Sequence, residues 1–163
     1  METRLATSAD AEVIAEIYNQ GIVDRSATFE TRLRAAGEVR GWFTADYPIV
    51  VVVEDDAVIA FASTSPYRPR GCYSGIAEFS VYVARDRRGR GAGRIAMQAL
   101  LHEAQQRGFW KLLSRIFVEN TASRALMRDL GFREVGTYYK HGKLDGQWRD
   151  VVIVEYVIEA NLV

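Results

Sequence analysis

Arg88-Gly89-Arg90-Gly91-Ala92-Gly93-Arg94 is the stretch that decides how this chain is read. It follows an apolar, strand-like run, Phe79-Ser80-Val81-Tyr82-Val83, and opens a helical pattern, Ile95-Ala96-Met97-Gln98-Ala99-Leu100-Leu101. Glycine reaches backbone angles closed to other residues, so successive N–H groups can point into one concavity. A helix that starts there adds unpaired N–H groups and the positive end of its dipole. Strand, glycine-rich turn and helix start, in that order, make an anion site. A pyrophosphate is its natural occupant.

Three ligands compete for such a loop. A Walker A loop requires a lysine followed by a hydroxyl residue after its last glycine, and none stands here. The permissive dinucleotide pattern is satisfied by Gly91-x-Gly93-x-x-Ala96. In that fold, however, the strand runs almost directly into the first glycine. Here the arginine-rich segment 84–90 intervenes, and about half the chain precedes it. A coenzyme A loop, Gln/Arg-x-x-Gly-x-Gly/Ala, is matched by Arg88-Gly89-Arg90-Gly91-Ala92-Gly93. A solvated turn at a helix start would look the same in isolation.

The rest of the chain narrows the field. At 163 residues it is long enough to bury a core as one domain, 1–163, without disulfides or metal. Lysine and arginine balance aspartate and glutamate to a formal net charge of zero, which argues against a nucleic-acid binder. The five arginines between Arg85 and Arg94 are therefore a local patch, suited to a small polyanion. A single cysteine, Cys72, fits a reducing compartment. The N-terminus carries no apolar signal segment and no run reaches membrane-spanning length, so a cytoplasmic enzyme with no membrane partner is expected. Two histidines and one cysteine, widely spaced, offer no metal constellation, and no Gly-x-Ser-x-Gly elbow marks a hydrolase.

Periodicity supplies the elements. Thr7 or Ser8 caps a helix whose apolar Val13, Ile14, Ile17 and Tyr18 share a face. A second helix spans 35–45, with Val39, Trp42 and Phe43 inward, and stops at Tyr47-Pro48. The β-branched run 49–53 reads as a buried strand that Asp55-Asp56 turns into 58–65. Pro66 and Pro69 bound an irregular loop, 67–75, holding Arg68, Arg70 and Tyr73. In the next strand Phe79, Val81 and Val83 share a core face, while Glu78, Ser80 and Tyr82 share a polar one, so Glu78 looks toward a cleft. A helix over 91–107 ends near Gly108, a strand spans 112–118, and Asn120 caps a short helix ending at Leu130-Gly131. Segments 135–140 and 151–158 form a hairpin whose connection includes Asp145-Gly146.

This order of pieces resembles the GCN5-related N-acetyltransferase (GNAT) superfamily over nearly the whole chain. The loop Arg88 to Gly93 is one signature; Asn120-x-x-Ser123-x-x-Leu126 followed by Leu130-Gly131-Phe132 is the other. Within the superfamily the chain is similar to the phosphinothricin and methionine sulfoximine acetyltransferase group. That similarity rests on Ile17-Tyr18-Asn19, Ala27-Thr28-Phe29-Glu30, Tyr67-Arg68-Pro69-Arg70 leading to Tyr73, Ala77-Glu78-Phe79-Ser80-Val81-Tyr82-Val83, and Gly146-x-Trp148-x-Asp150-Val151. The implied fold is a single α/β domain with a central mixed, mostly antiparallel sheet of about six or seven strands, flanked by about four helices. The implied activity is acetyl transfer from acetyl-CoA, without a metal, to the α-amino group of a small amino-acid analogue.

The resemblance also implies roles. Glu78 becomes the general base, since an amine with a pKa near 8 is largely protonated at neutral pH. The backbone N–H of Val81 serves the oxyanion, and Val81 and Val83 lend backbone groups to the pantetheine arm. Arg88, Gly89, Arg90, Gly91, Ala92, Gly93 and Arg94 hold the pyrophosphate, with Asn120 and Ser123 on the pantetheine side. Arg68, Arg70 and Tyr73 take the amino-acid substrate, with Phe29 and Tyr82 closing its pocket. Where many members carry a tyrosine as acid for the leaving thiolate, this chain has Met127. Tyr138 or Tyr139 then serves, or the thiolate leaves unaided. His141 stands apart from the position of the group's histidine, where this chain has Asp145, and stays outside the catalytic set. The family also allows a homodimer. A protein N-terminus or lysine as acceptor, or a non-catalytic acyl-CoA sensor, are the alternatives; Arg68 and Arg70 speak against the first and Glu78 against the second.

Overall fold

The β-branched run that begins at Ile49 is buried from both sides, and this sets the layering. In the computed structural model, which describes residues 1–163, it forms strand β2 (Ile49–Glu54). Val50 and Val52 point into one core, while Ile49 and Val51 point into a second on the opposite face. Seven strands share one sheet in the order β1-β2-β3-β4-β5-β7-β6. The others are β1 (Glu2–Leu5), β3 (Ala57–Pro66), β4 (Ile76–Val83), β5 (Lys111–Phe117), β6 (Arg133–Leu144) and β7 (Gln147–Val157). Only β4 and β5 run parallel. The mixed, mostly antiparallel sheet expected from the sequence is therefore what the chain builds.

Four α-helices cover it: α1 (Ala11–Asp24), α2 (Ala36–Arg40), α3 (Ala92–Gln106) and α4 (Thr121–Asp129). Ile14, Ile17 and Val39 from α1 and α2 pack on Val51 and Phe61. Ala96, Met97 and Leu100 of α3 pack on the other face with Leu112, Met127 and Phe132. None of these helices is long and apolar enough to cross a membrane.

Three differences from the periodicity reading have local causes. β1 was not foreseen because its four residues are exposed and carry no apolar alternation. The second helix shortens to α2 and continues as a 3₁₀ turn, Gly41–Thr44. The final hairpin is longer on both arms, because Asp145 and Gly146, with φ of 51° and 78°, make the whole connection between paired Leu144 and Gln147.

Candidate active site

β4 and β5 pair over only three positions, Ile76↔Lys111, Ala77↔Leu112 and Glu78↔Leu113. Beyond Glu78 each strand is held by its outer neighbour, β4 by β3 as far as Val83↔Ala60 and β5 by β7 as far as Phe117↔Val151. The sheet therefore opens as a wedge. Successive residues of a strand aim their N–H and C=O to opposite sides. The Phe79 carbonyl faces β5, where it accepts from Ser114 Oγ at 2.9 Å. The Ala84 N–H donates the other way, to Ile59 O at 2.8 Å. By that alternation the N–H and C=O of Val81 and Val83 face the wedge, and the Val83 carbonyl accepts from Arg88 Nε at 3.2 Å.

The arginine-glycine loop closes the wide end. Gly89 and Gly91 have φ of 77° and 90°, and Gly91 caps α3. A Cβ at either would meet nothing within 4 Å, so it is the backbone angle that calls for glycine there. At Gly93 a Cβ would sit 3.4 Å from Leu126, ordinary contact, which fits a pattern that admits alanine. Ile95 is the first residue of α3 to bond back, to Gly91 O at 3.2 Å. The N–H groups of Ala92, Gly93 and Arg94 are thus left as helix-start donors. A cleft of about 410 Å³ lies in front of them, lined by Val81, Val83, Arg88, Gly89, Gly91 to Arg94, Asn120, Ser123 and Leu126. Its donors suit a pyrophosphate and its apolar wall suits a pantetheine arm.

Two details differ from a simple basic patch. Each arginine has an acidic partner: Arg85 and Arg88 meet Asp24, Arg87 and Arg90 meet Glu54, and Arg94 meets Asp129. Arg90 lies outside the cleft lining. The anion donors this arrangement offers are the backbone N–H groups together with Arg88 and Arg94. Asn120 is both a cap and a cleft residue. Its Oδ1 accepts from Ser123 N–H at 3.2 Å, and its Nδ2 donates to Ser26 O at 3.3 Å.

The narrow end of the wedge leads to a second cavity, of about 290 Å³, through a junction of about 70 Å³. Glu78, Phe29 and Tyr82 line the cavity with Tyr18, Arg115 and His141. Arg115 Nη2 donates to both Glu78 oxygens, at 3.1 and 3.2 Å. Phe29 stands edge-on to Phe117, ring centroids 4.8 Å apart. It lies against Gly142, where a Cβ would come within 2.8 Å of its ring. Burial above all, with the neighbouring Tyr18 adding to it, pushes the Tyr82 phenol well above tyrosine's usual value. It stays neutral and available for hydrogen bonding at any working pH.

The face expected to be polar is therefore mixed. Glu78, Ser80 and Tyr82 all line the cavity, but the Tyr82 ring also stacks on Phe61 at 5.6 Å and packs against the core under α1. Arg68, Arg70 and Tyr73 are not brought to this cavity; they lie on the loop after β3, where Arg68 stacks over the Tyr67 ring at 4.9 Å. Met127 is buried and lines the junction, while Tyr138 and Tyr139 are 53% and 78% exposed and line neither cavity nor cleft. Arg115 went unread in the sequence. Its signal was a lone charge in the apolar strand Leu112-Leu113-Ser114-Arg115-Ile116-Phe117, two residues past the partner of Glu78.

A parted parallel pair, a helix start presenting N–H donors to one end, and a carboxylate at the other define a coenzyme A-dependent N-acyltransferase. Residues 14–132 match the model of the acetyltransferase (GNAT) family, and the chain belongs to it. It is 31% identical to the L-amino acid N-acyltransferase MnaT of Escherichia coli (strain K12), over 98% of this chain and 95% of that one. It is 34% identical to an L-methionine sulfoximine/L-methionine sulfone acetyltransferase of Pseudomonas paraeruginosa, over 93% and 91% of the two chains. The crystal structure of a phosphinothricin acetyltransferase of Sinorhizobium meliloti in complex with acetyl-CoA superimposes with a TM-score of 0.90 at 30% identity, covering 96% of this chain and 87% of that one. The chain is thus an N-acetyltransferase that uses acetyl-CoA.

Proposed function

We propose that this enzyme acetylates the α-amino group of a small amino-acid-like acceptor, with Glu78 as general base. The observation that carries the reading is the position of Glu78, half-buried in a cavity that joins the coenzyme cleft at the point where β4 and β5 part. The names of the relatives support the acceptor class, since they act on L-amino acids and on methionine sulfone or sulfoximine.

Acetyl-CoA supplies the acetyl group as a thioester; the acceptor nitrogen becomes an amide and the thiol is released. The acceptor enters as an ammonium ion and must lose a proton, which Glu78 takes and passes to solvent. The Val81 N–H, directed into the wedge, is the donor for an oxygen that gains negative charge there. Asn120 and Ser123 flank the pantetheine path, and the N–H groups of Ala92, Gly93 and Arg94 hold the pyrophosphate together with Arg88. Met127 has no proton to give at the junction. A thiol with a pKa of about 8.5 leaves without an acid.

Thiol release measured with free amino acids, phosphinothricin, methionine sulfone, a peptide with a free N-terminus and a blocked lysine tests the acceptor class. Turnover confined to the peptide or the lysine overturns it.

A further inference from the structure

The cavity beside Glu78 does not end at Tyr18. A recess of about 350 Å³ opens on the same face of the sheet, beneath the 3₁₀ turn Gly41–Thr44, with walls of Trp42, Tyr47 and Phe61. Tyr18, Ser65 and Ser80 line both spaces. The strand register explains the continuity. Ser65 lies beside Glu78, Ser63 beside Ser80, and Phe61 beside Tyr82, so all of them share the face beneath α1. Glu78 therefore has Arg115 on one side and this recess on the other. From β4 to β3 is one strand spacing, about 4.8 Å, the reach of a side chain of three or four heavy atoms.

We infer that the acceptor is a neutral α-amino acid whose carboxylate is held by Arg115 and whose apolar side chain lies in the recess of Trp42, Tyr47 and Phe61. This rests on the α-amino reading above and narrows it. Arg115 spends only Nη2 on Glu78, leaving Nε and Nη1 free, and its side chain is 46% exposed. A carboxylate and a guanidinium one hydrogen bond apart are the complement of a zwitterion. The acceptor's ammonium donates to Glu78 and its carboxylate accepts from Nε–H or Nη1–H of Arg115, which Glu78 leaves uncommitted.

The recess itself selects against charge. Its polar side chains are the hydroxyls of Tyr18, Tyr47, Ser63, Thr64, Ser65 and Ser80, and no charged side chain lines it. The Thr64 hydroxyl is already committed to Pro48 O at 2.7 Å. A phosphinate or carboxylate side chain would lose hydration there with no cation to replace it. A thioether or aromatic side chain would bury apolar area against the rings instead, and an uncharged sulfone can accept from the lining hydroxyls.

Steady-state thiol-release kinetics on the full chain, with methionine sulfone, its carboxamide, alanine and phosphinothricin as acceptors, test this directly. The wild-type enzyme should favour methionine sulfone over phosphinothricin in kcat/KM by about tenfold or more, the size of an unpaired-charge penalty. Arg115→Ala also frees Glu78, a loss common to every acceptor, but it should raise the KM for methionine sulfone about tenfold more than that for its carboxamide and not move the KM for acetyl-CoA. Trp42→Ala should lower kcat/KM for methionine sulfone by about tenfold while sparing alanine, which is too short to reach the recess. A variant that merely folds poorly would lower both together. Equal effects of Arg115→Ala on the free acid and the carboxamide, or a preference for phosphinothricin, would overturn the inference alone. A wild-type enzyme that acetylates peptides or lysine but no α-amino acid would overturn the underlying reading as well, and shows itself before any variant is made.

Discussion

Ser114 Oγ donates to the Phe79 carbonyl at 2.9 Å, one residue past the point where the backbone ladder between β4 and β5 stops. A side chain thus takes over where the backbone pairing ends, at the apex of the wedge. Both the coenzyme cleft and the Glu78 cavity depend on that opening.

Ser114→Ala removes this bond and leaves a carbonyl at the wedge apex without its partner. The expected cost is about 1 kcal/mol of stability, with a fall in kcat larger than any change in either KM. Denaturant unfolding and steady-state kinetics on the same preparation check it. An unchanged kcat would show that the wedge holds its shape without the hydroxyl.

Glu78→Gln keeps the side chain's size and removes the proton acceptor. Turnover should fall by about a hundredfold or more, with acetyl-CoA binding kept. A variant that keeps kcat within about threefold of wild type would remove Glu78 as the base.

Gly21 on α1 faces the Tyr82 ring so closely that a Cβ would stand 2.6 Å from its Cε1 atom. The ring is also confined by Phe61 and Tyr18, with centroids 5.6 and 5.0 Å away. Gly21→Ala must therefore displace either the helix or a side chain that lines both the coenzyme cleft and the acceptor cavity. A loss of about 1–3 kcal/mol is expected, with both KM values raised. Thermal unfolding and kinetics report the two effects separately, and unaltered KM values would show that Tyr82 does not shape the site.

Asp10 links the first strand to the first helix. It accepts from Arg4 at 2.8 and 2.9 Å and from the Thr7 N–H at 2.8 Å. The Arg4 hydrogen bonds, opposed by desolvation and helped by Thr7, hold its carboxyl below the usual carboxylate range. The native state therefore binds fewer protons here than the unfolded chain does. The stabilisation is complete above the unfolded carboxylate's pKa of about 3.9 and is lost as pH falls through the lower native value. Asp10→Asn should cost about 0.5–1 kcal/mol at neutral pH, with the two stability curves converging once the pH has fallen below the lowered native value. A gap that persists in acid would assign the loss to packing.

Much of the site was legible because its parts are local. Gly91 announced a positive φ before a helix, Asn120 announced a cap, and alternation along β4 placed Glu78 on the face away from Phe79. β1 was not legible, since Glu2 to Leu5 are exposed and acquire strand character only by pairing with Val50 to Val53. The packing of Tyr82 on Phe61 and against α1 was not legible, because it is a long-range event.

By itself the sequence determined the order of the elements after β1, the helix-start donors of the arginine-glycine loop and the family to which the chain belongs. Each of these follows from residues adjacent along the chain, where backbone angle and spacing act directly. Only the tertiary structure decided that the loop's arginines are matched by Asp24, Glu54 and Asp129, that β4 and β5 part after Glu78, and that Arg115 faces the carboxylate. Strand pairing brings residues 37 positions apart within a hydrogen bond of each other, and no local pattern encodes that distance.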